Sequence, residues 1–353
     1  MHTPPLRVLL LGATGTIGSA TERALVRQGH SVVCLLRHPP ARDNAQAATT
    51  HLYGDPCDPD TWRPDACLSQ GFDAIVSCMA SRTGAPQDAW QVDYQAHLYA
   101  LAGAKAAGVT QFVLLSAICV QKPLLAFQQA KLAFETALID SGMDYSIVRP
   151  TAFFKSLSGQ LDRVKRGKPF LVFGDGELTA CKPISDDDLG DFLAGCLTDT
   201  NRRNRVLPIG GPGPAITPLA QGKQLFQLLG QPPRFKHVPV RLLDVIIRIL
   251  TWTGKVIPAA ARKAELAKIG RYLRDGVYAG VGRRCTTIRC RRDTFPWRSN
   301  VVWRLCRLGQ WRACPRARRS RCLLARAWDA DRGLAQTHLI TIFKQVGSLN
   351  ATS

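Results

Sequence analysis

The sequence predicts an α/β fold: a Rossmann-type, doubly wound parallel sheet with a smaller C-terminal substrate lobe. Three observations predict it. Short apolar runs alternate with helical segments through the first 150 residues, as a parallel sheet covered on both faces requires. The first run opens directly into a glycine-rich turn, and that turn opens a helix. Each later run ends in small or polar residues, where a doubly wound sheet keeps its crevice.

Taken in order, residues 8–11 form the first strand. Gly12, Ala13, Thr14, Gly15, Thr16, Ile17 and Gly18 make a tight turn into a helix over 19–28. One glycine permits the turn, one lets a pyrophosphate approach the backbone, and one lets helix and strand pack closely. The helix N-terminus then offers N–H groups and the positive end of its dipole to phosphates. A dinucleotide site is therefore expected at Gly12, Thr14, Gly15, Thr16, Ile17 and Gly18. A plain strand–turn–helix is the other reading.

The second strand, 31–36, runs into Arg37. An acid at this point takes the ribose hydroxyls of NAD, whereas a cation pairs with a 2′-phosphate, so NADPH is the expected cofactor. A solvated loop arginine is the alternative. A third strand is predicted over 52–55, with Asp55 either beside the adenine or in an ordinary turn. The fourth, 73–79, closes on Ser77 and Cys78, small enough for a ribose to lie close. A helix over 89–107 leads to the fifth strand, 111–115, and Ser116 follows at the same crevice.

The frame Phe127, Gln128, Gln129, Ala130, Lys131 carries the next expectation. Short-chain dehydrogenases place a tyrosine and a lysine one helical turn apart, the lysine lowering the tyrosine's pKa and holding the nicotinamide ribose. Here the lysine position is kept, and a phenyl ring that cannot donate a proton stands where the hydroxyl belongs. Ordinary carbonyl reduction through a tyrosine is therefore not expected; the other reading is that Phe127 is core packing and Lys131 a surface charge on an amphipathic helix. The sixth strand, 143–148, leads to Pro150 beside the nicotinamide, then to Phe153, Phe154 and Lys155. With Phe127, these suit a flat apolar ligand with an acidic edge. Ordinary packing is the rival for the two later aromatics.

The remaining elements are a strand over 169–173, a helix over 185–197 capped by Ser185, a strand over 206–209 and a helix over 217–229. The aspartates at 186–188 are read as serving the helix dipole. Residues 240–257 present an apolar face that could lie on a membrane surface, cover a pocket or pack on the lobe. No apolar run is long enough to span a bilayer, and the first strand starts too early for a signal peptide. Seven scattered cysteines before residue 270 suit a reducing cytoplasm, and no metal-ligand spacing is present.

The net charge of +21 raises the question of a nucleic-acid partner. Residues 271–353 hold 18 Lys and Arg against 4 Asp and Glu, leaving 29 against 22 in the body. The surplus belongs to the tail, so no nucleic-acid partner is expected of the body. Domains are accordingly set at 1–150 for NADP binding, 151–270 for the substrate lobe and 271–353 for the tail.

Long strings decide the rest: Ser77 to Gly84, Leu115 to Pro123, Arg149 to Gln160, and Gly174-Asp175-Gly176 through Cys181 to Ser185. With the GxxGxxG turn they resemble the divinyl chlorophyllide a 8-vinyl-reductase family, atypical NmrA-like members of the short-chain dehydrogenases. The resemblance covers 6–272. It implies NADPH-dependent reduction of an 8-vinyl group on a chlorophyllide-type tetrapyrrole, in chlorophyll or bacteriochlorophyll biosynthesis. Lys131 and Lys155 are the expected catalytic pair, with the protein in the cytoplasm or peripheral at the photosynthetic membrane. An alkene conjugated to a macrocycle needs no acid on a carbonyl oxygen, which accommodates Phe127.

Beyond residue 272 the resemblance stops. Five of the twelve cysteines and four of the seven tryptophans lie there among arginines without helical or strand period. A GC-rich gene read out of frame produces this pattern, so a frameshift is expected. A basic RNA- or membrane-binding extension is the alternative. An NADP-sensing regulator or assembly factor of the NmrA-like type is the rival function.

Overall fold

The computed structural model describes residues 4–39, 49–63, 65–154 and 158–253. The expected tail, like Lys155, lies outside the described residues. Seven parallel strands form the main sheet in the order β3-β2-β1-β4-β5-β6-β8. They are β1 Arg7–Leu11, β2 Ser31–Leu36, β3 Thr49–Tyr53, β4 Ala74–Ser77, β5 Gln111–Leu115, β6 Asp144–Pro150 and β8 Arg205–Ile209. The order reverses at β1, whose partners are β2 on one side and β4 on the other. That reversal opens a crevice at the carboxyl ends of β1 and β4.

Alternation along β1 shows how both faces are filled. Val8 and Leu10 face one core, with Ile17, Ala24 and Leu25 of helix α1 (Thr16–Arg27) and Leu189 and Leu193 of helix α6 (Asp186–Gly195). Leu9 and Leu11 face the other, with Ala100, Leu101 and Ala104 of α3 (Ala96–Ala106) and Phe134 and Leu138 of α4 (Ala126–Asp140). Burial on both sides is why the strands read as unbroken apolar runs. At Gly190 the backbones of α6 and α1 meet so closely that a Cβ would stand 2.7 Å from the Ala20 carbonyl.

A two-stranded parallel sheet is separate from the main one: β7 (Phe170–Phe173) pairs with β9 (Phe235–Val238). It packs with α5 (Leu161–Lys165) and α7 (Pro218–Leu228) around Val164, Phe170, Val172 and Phe226. The last described helix is α8, Val240–Thr253.

Several boundaries correct the sequence reading. Helix α1 starts at Thr16, not residue 19, because the glycine turn is tighter than its length suggests. The third strand covers Thr49–Tyr53 and ends before Gly54, since its polar residues are still paired by β2. The expected helix over 89–107 begins earlier: α2 (Pro86–Ala89) continues through a π-helical turn, Trp90–Gln95, into α3. Strand β9 was not expected; Phe-Lys-His-Val is too short and mixed to declare itself without its partner. Ser185 does cap α6, its Oγ accepting from the Asp188 N–H at 3.0 Å.

Candidate active site

The glycine turn is shaped by close approach. Gly12 has φ +76°, and a Cβ there would lie 2.8 Å from the backbone of Cys78 and Met79 at the end of β4. A Cβ at Gly18 would lie 2.0 Å from the Gly12 carbonyl oxygen. The Gly15 N–H donates to that same oxygen at 3.0 Å, and Gly15 is the N-cap of α1, with no side chain capping the helix. Thr14 and Gly15 are exposed, while the Ile17 side chain is buried in the core. Only the backbone of Ile17 is therefore available to a ligand. A turn with no room for a Cβ at Gly12 or Gly18, in front of a helix start that its N-cap residue does not cap, fits a pyrophosphate.

Arg37 is exposed just past β2. Asp55 is exposed as well, and its Oδ1 accepts from the Cys57 N–H at 3.0 Å while its carbonyl accepts from Thr61 Oγ1 at 2.8 Å. Those bonds are the ordinary turn that the sequence left open. Ser77 is buried at the end of β4 and donates from Oγ to His97 Nε2 at 2.8 Å. The Cys78 thiol turns onto Thr21 Oγ1 at 3.5 Å, and burial pushes it up to about 12. A thiol held protonated at neutral pH is packing, not a nucleophile.

Behind this crevice stand two buried ion pairs, both carried by α4. The Lys131 Nζ lies 2.9 Å from Asp93 Oδ1, the lysine side chain 10% exposed and the aspartate side chain 0%. Asp93 sits in the π-helical turn and also accepts from Ser81 Oγ at 2.6 Å and from the Ser81 N–H at 3.3 Å. One turn along α4, Glu135 pairs with Arg149 of β6 and accepts from Ser116 Oγ. The Arg149 Nε reaches both carboxylate oxygens, at 3.2 and 3.1 Å. The hydroxyl of Ser116 is thus engaged by Glu135.

His97 completes the wall. Its Nδ1 meets the Val92 carbonyl at 2.9 Å, and a carbonyl only accepts, so Nδ1 carries the proton and Nε2 accepts from Ser77. Burial, reinforced by the Lys131 charge, lowers its pKa to about 4. The imidazole is neutral and fixed in one tautomer at neutral pH.

Of the residues expected to face substrate, Phe127 stands one turn before Lys131, half-buried beside Cys119, Leu125 and Ala117. Phe153 packs against the core by Ile184, with which it forms a β-bridge. Phe154 is half-buried, and Pro150 is buried at the end of β6. Sequence reasoning missed Asp93, His97, Ser81, Glu135 and the pairing role of Arg149. The one available signal was an aspartate and a histidine inside a run of small and apolar helix residues.

The fold and glycine cradle define the chain as an NAD(P)H-binding protein of the Rossmann class, and the NAD(P)H-binding family model matches residues 12–200. An NADPH-dependent quinone oxidoreductase from Escherichia coli shares the fold, with a TM-score of 0.56 at 17% identity over 78% of this chain and 90% of that one. Divinyl chlorophyllide a 8-vinyl-reductase, chloroplastic, from Oryza sativa subsp. indica is 48% identical, covering 75% of this chain and 69% of the relative. The chain belongs to the divinyl chlorophyllide a 8-vinyl-reductase family. A more distant relative, the photosystem II assembly factor Ycf39 from Synechocystis, is 26% identical over 70% of this chain and 76% of its own length.

Proposed function

We propose that this protein reduces the 8-vinyl group of divinyl chlorophyllide a, or of a close precursor, to ethyl with NADPH, in chlorophyll or bacteriochlorophyll biosynthesis. The observation that carries the reading is family membership at 48% identity, joined to a site that keeps the lysine and lacks the tyrosine.

NADPH supplies the hydride when bound. The chain's residues then divide the remaining work. Gly12, Thr14, Gly15, Thr16, Ile17 and Gly18 receive the pyrophosphate through backbone, and Arg37 pairs with the 2′-phosphate. Asp55 shapes the turn after β3 that borders the adenine; Ser77, Cys78, Ser116 and Pro150 line the ribose and nicotinamide end. Lys131 holds the ribose and sets a positive potential where charge develops on the macrocycle. Phe127, Phe153 and Phe154 face the flat ring system and exclude water, and Lys155 meets an acidic edge of the substrate. Two vinyl carbons gain one hydride and one proton, and the conjugated ring spreads charge between the two events.

Peripheral membrane contact through α8 belongs to the same proposal. Val245, Ile249 and Trp252 are exposed at helical spacing, and no described helix is long and apolar enough to cross a membrane. The protein then works in the cytoplasm or at the face of a photosynthetic membrane. Domain limits of 1–150, 151–270 and 271–353 are proposed with it.

The test is an anaerobic assay of purified protein with NADPH and divinyl chlorophyllide a, followed by the Soret blue shift and product retention. Conversion to the monovinyl form is expected. NADPH binding without conversion would instead favour the cofactor-sensing assembly factor suggested by the Ycf39 likeness.

A further inference from the structure

We infer that Asp93, clamped by Ser81, is the positioning residue for Lys131, and that the π-helical turn exists to put its carboxylate there. The inference rests on the reading of Lys131 as the ribose-holding lysine.

Four observations carry it. Asp93 is fully buried, and an isolated buried carboxylate is costly enough that its partners must be specific. Its oxygens are accounted for: Oδ1 faces Lys131 and the Ser81 N–H, and Oδ2 takes the Ser81 hydroxyl. Ser81 lies three residues beyond Cys78, whose backbone walls the Gly12 turn, so the clamp is tied to the cradle by a short tether. The helix that carries Asp93 departs from α geometry over Trp90–Gln95, with α-helix on both sides. A π turn adds a residue per turn and rotates the helix beyond it, and such insertions gather at functional positions.

The consequence is geometric. A lysine has four side-chain torsions and would sweep a wide arc from an α-helix surface. One ion pair to a carboxylate that Ser81 holds with two bonds gives the ammonium a defined place beside the loop after β4. The lysine is thereby fixed by a residue 38 positions away that never needs to touch substrate.

The experiment compares Asp93→Asn, Asp93→Glu and Ser81→Ala with the parent. NADPH affinity is read from the change in its own fluorescence on binding, which needs no tetrapyrrole. Turnover is read separately at saturating NADPH. Asp93→Asn is expected to weaken NADPH binding about tenfold and to lower kcat by at least as much, because the ammonium is released from its place. Asp93→Glu, which keeps the charge, is expected to recover part of both, and Ser81→Ala to lower kcat a few-fold with the pair intact. Where Asp93→Asn fails to fold, Ser81→Ala and Asp93→Glu carry the test. Parental affinity and kcat in folded Asp93→Asn, or in Ser81→Ala, would overturn the inference. So would an Asp93→Glu variant no better than Asp93→Asn. A parent that binds NADPH but reduces no tetrapyrrole defeats the proposed reaction alone, since the affinity comparison still reads Asp93.

Discussion

The two sides of the crevice are built on opposite principles. The cradle around Gly12, Gly15 and Gly18 works by absence: no Cβ fits at Gly12 or Gly18, and no side chain caps α1. The opposite wall works by charge, with Lys131–Asp93 and Arg149–Glu135 buried one turn apart on α4. A backbone cradle is fixed by the packing of strands that would fold anyway. A wall of buried charges is held only if every partner arrives, because each orphaned charge costs far more than the pair returns. The cradle is therefore tolerant of most change except added volume, and the wall is tolerant of almost none.

Substitutions on the two sides should therefore differ in effect. The largest effect is expected at Glu135→Gln, which leaves the half-buried Arg149 without its counter-charge and should cost about 3 kcal/mol or more of unfolding free energy. Urea denaturation at the parent's midpoint and slope would remove the ion-pair wall as a structural principle. Gly12→Ala comes next. A methyl at positive φ and 2.8 Å from the Cys78 backbone should cost about 3 kcal/mol, mostly as lost NADPH affinity, roughly 100-fold by fluorescence titration. Binding unchanged within twofold would mean that the close approach does not shape the site.

A third effect depends on pH. His97 titrates at about 4 in the fold against 6.5 in the unfolded chain, so the unfolded state binds more protons between these values. Stability is then fully present above pH 6.5 and falls as the pH drops toward 4, by about 2 kcal/mol at pH 5. Thermal melts of the parent and of His97→Gln across pH 5–7 should differ in slope, the variant being flatter. Smallest is Arg37→Ser, expected to cost about tenfold in NADPH affinity while leaving NADH affinity unchanged. Equal losses for both cofactors would remove Arg37 from the 2′-phosphate.

What could be read in advance divides along the same line. Glycine spacing, strand alternation and the cap at Ser185 are local, so β1, β2, β5 and the cradle were legible from neighbouring residues. The charged wall was not, because its members are 38 residues apart for Asp93 and Lys131 and 14 apart for Glu135 and Arg149. No helical or strand period links such positions. Lys131 could be singled out by its place after Phe127, but what holds it could not. Strand β9 was missed for the related reason that a four-residue strand is defined by its partner, β7. Phe153 is read both ways: its type suggests a ligand wall, and the half-buried ring also packs on the core beside Ile184.

Hydride transfer at this site can be followed by isotope. Protein is incubated anaerobically with divinyl chlorophyllide a and NADPH deuterated at C4 of the nicotinamide, and the product is analysed by mass spectrometry. A monovinyl product with a single deuterium in the new ethyl group is expected. Reduced product without label, from NADPH shown to be fully deuterated, would contradict direct transfer from the cradle to the vinyl carbon and with it the function assigned to this site.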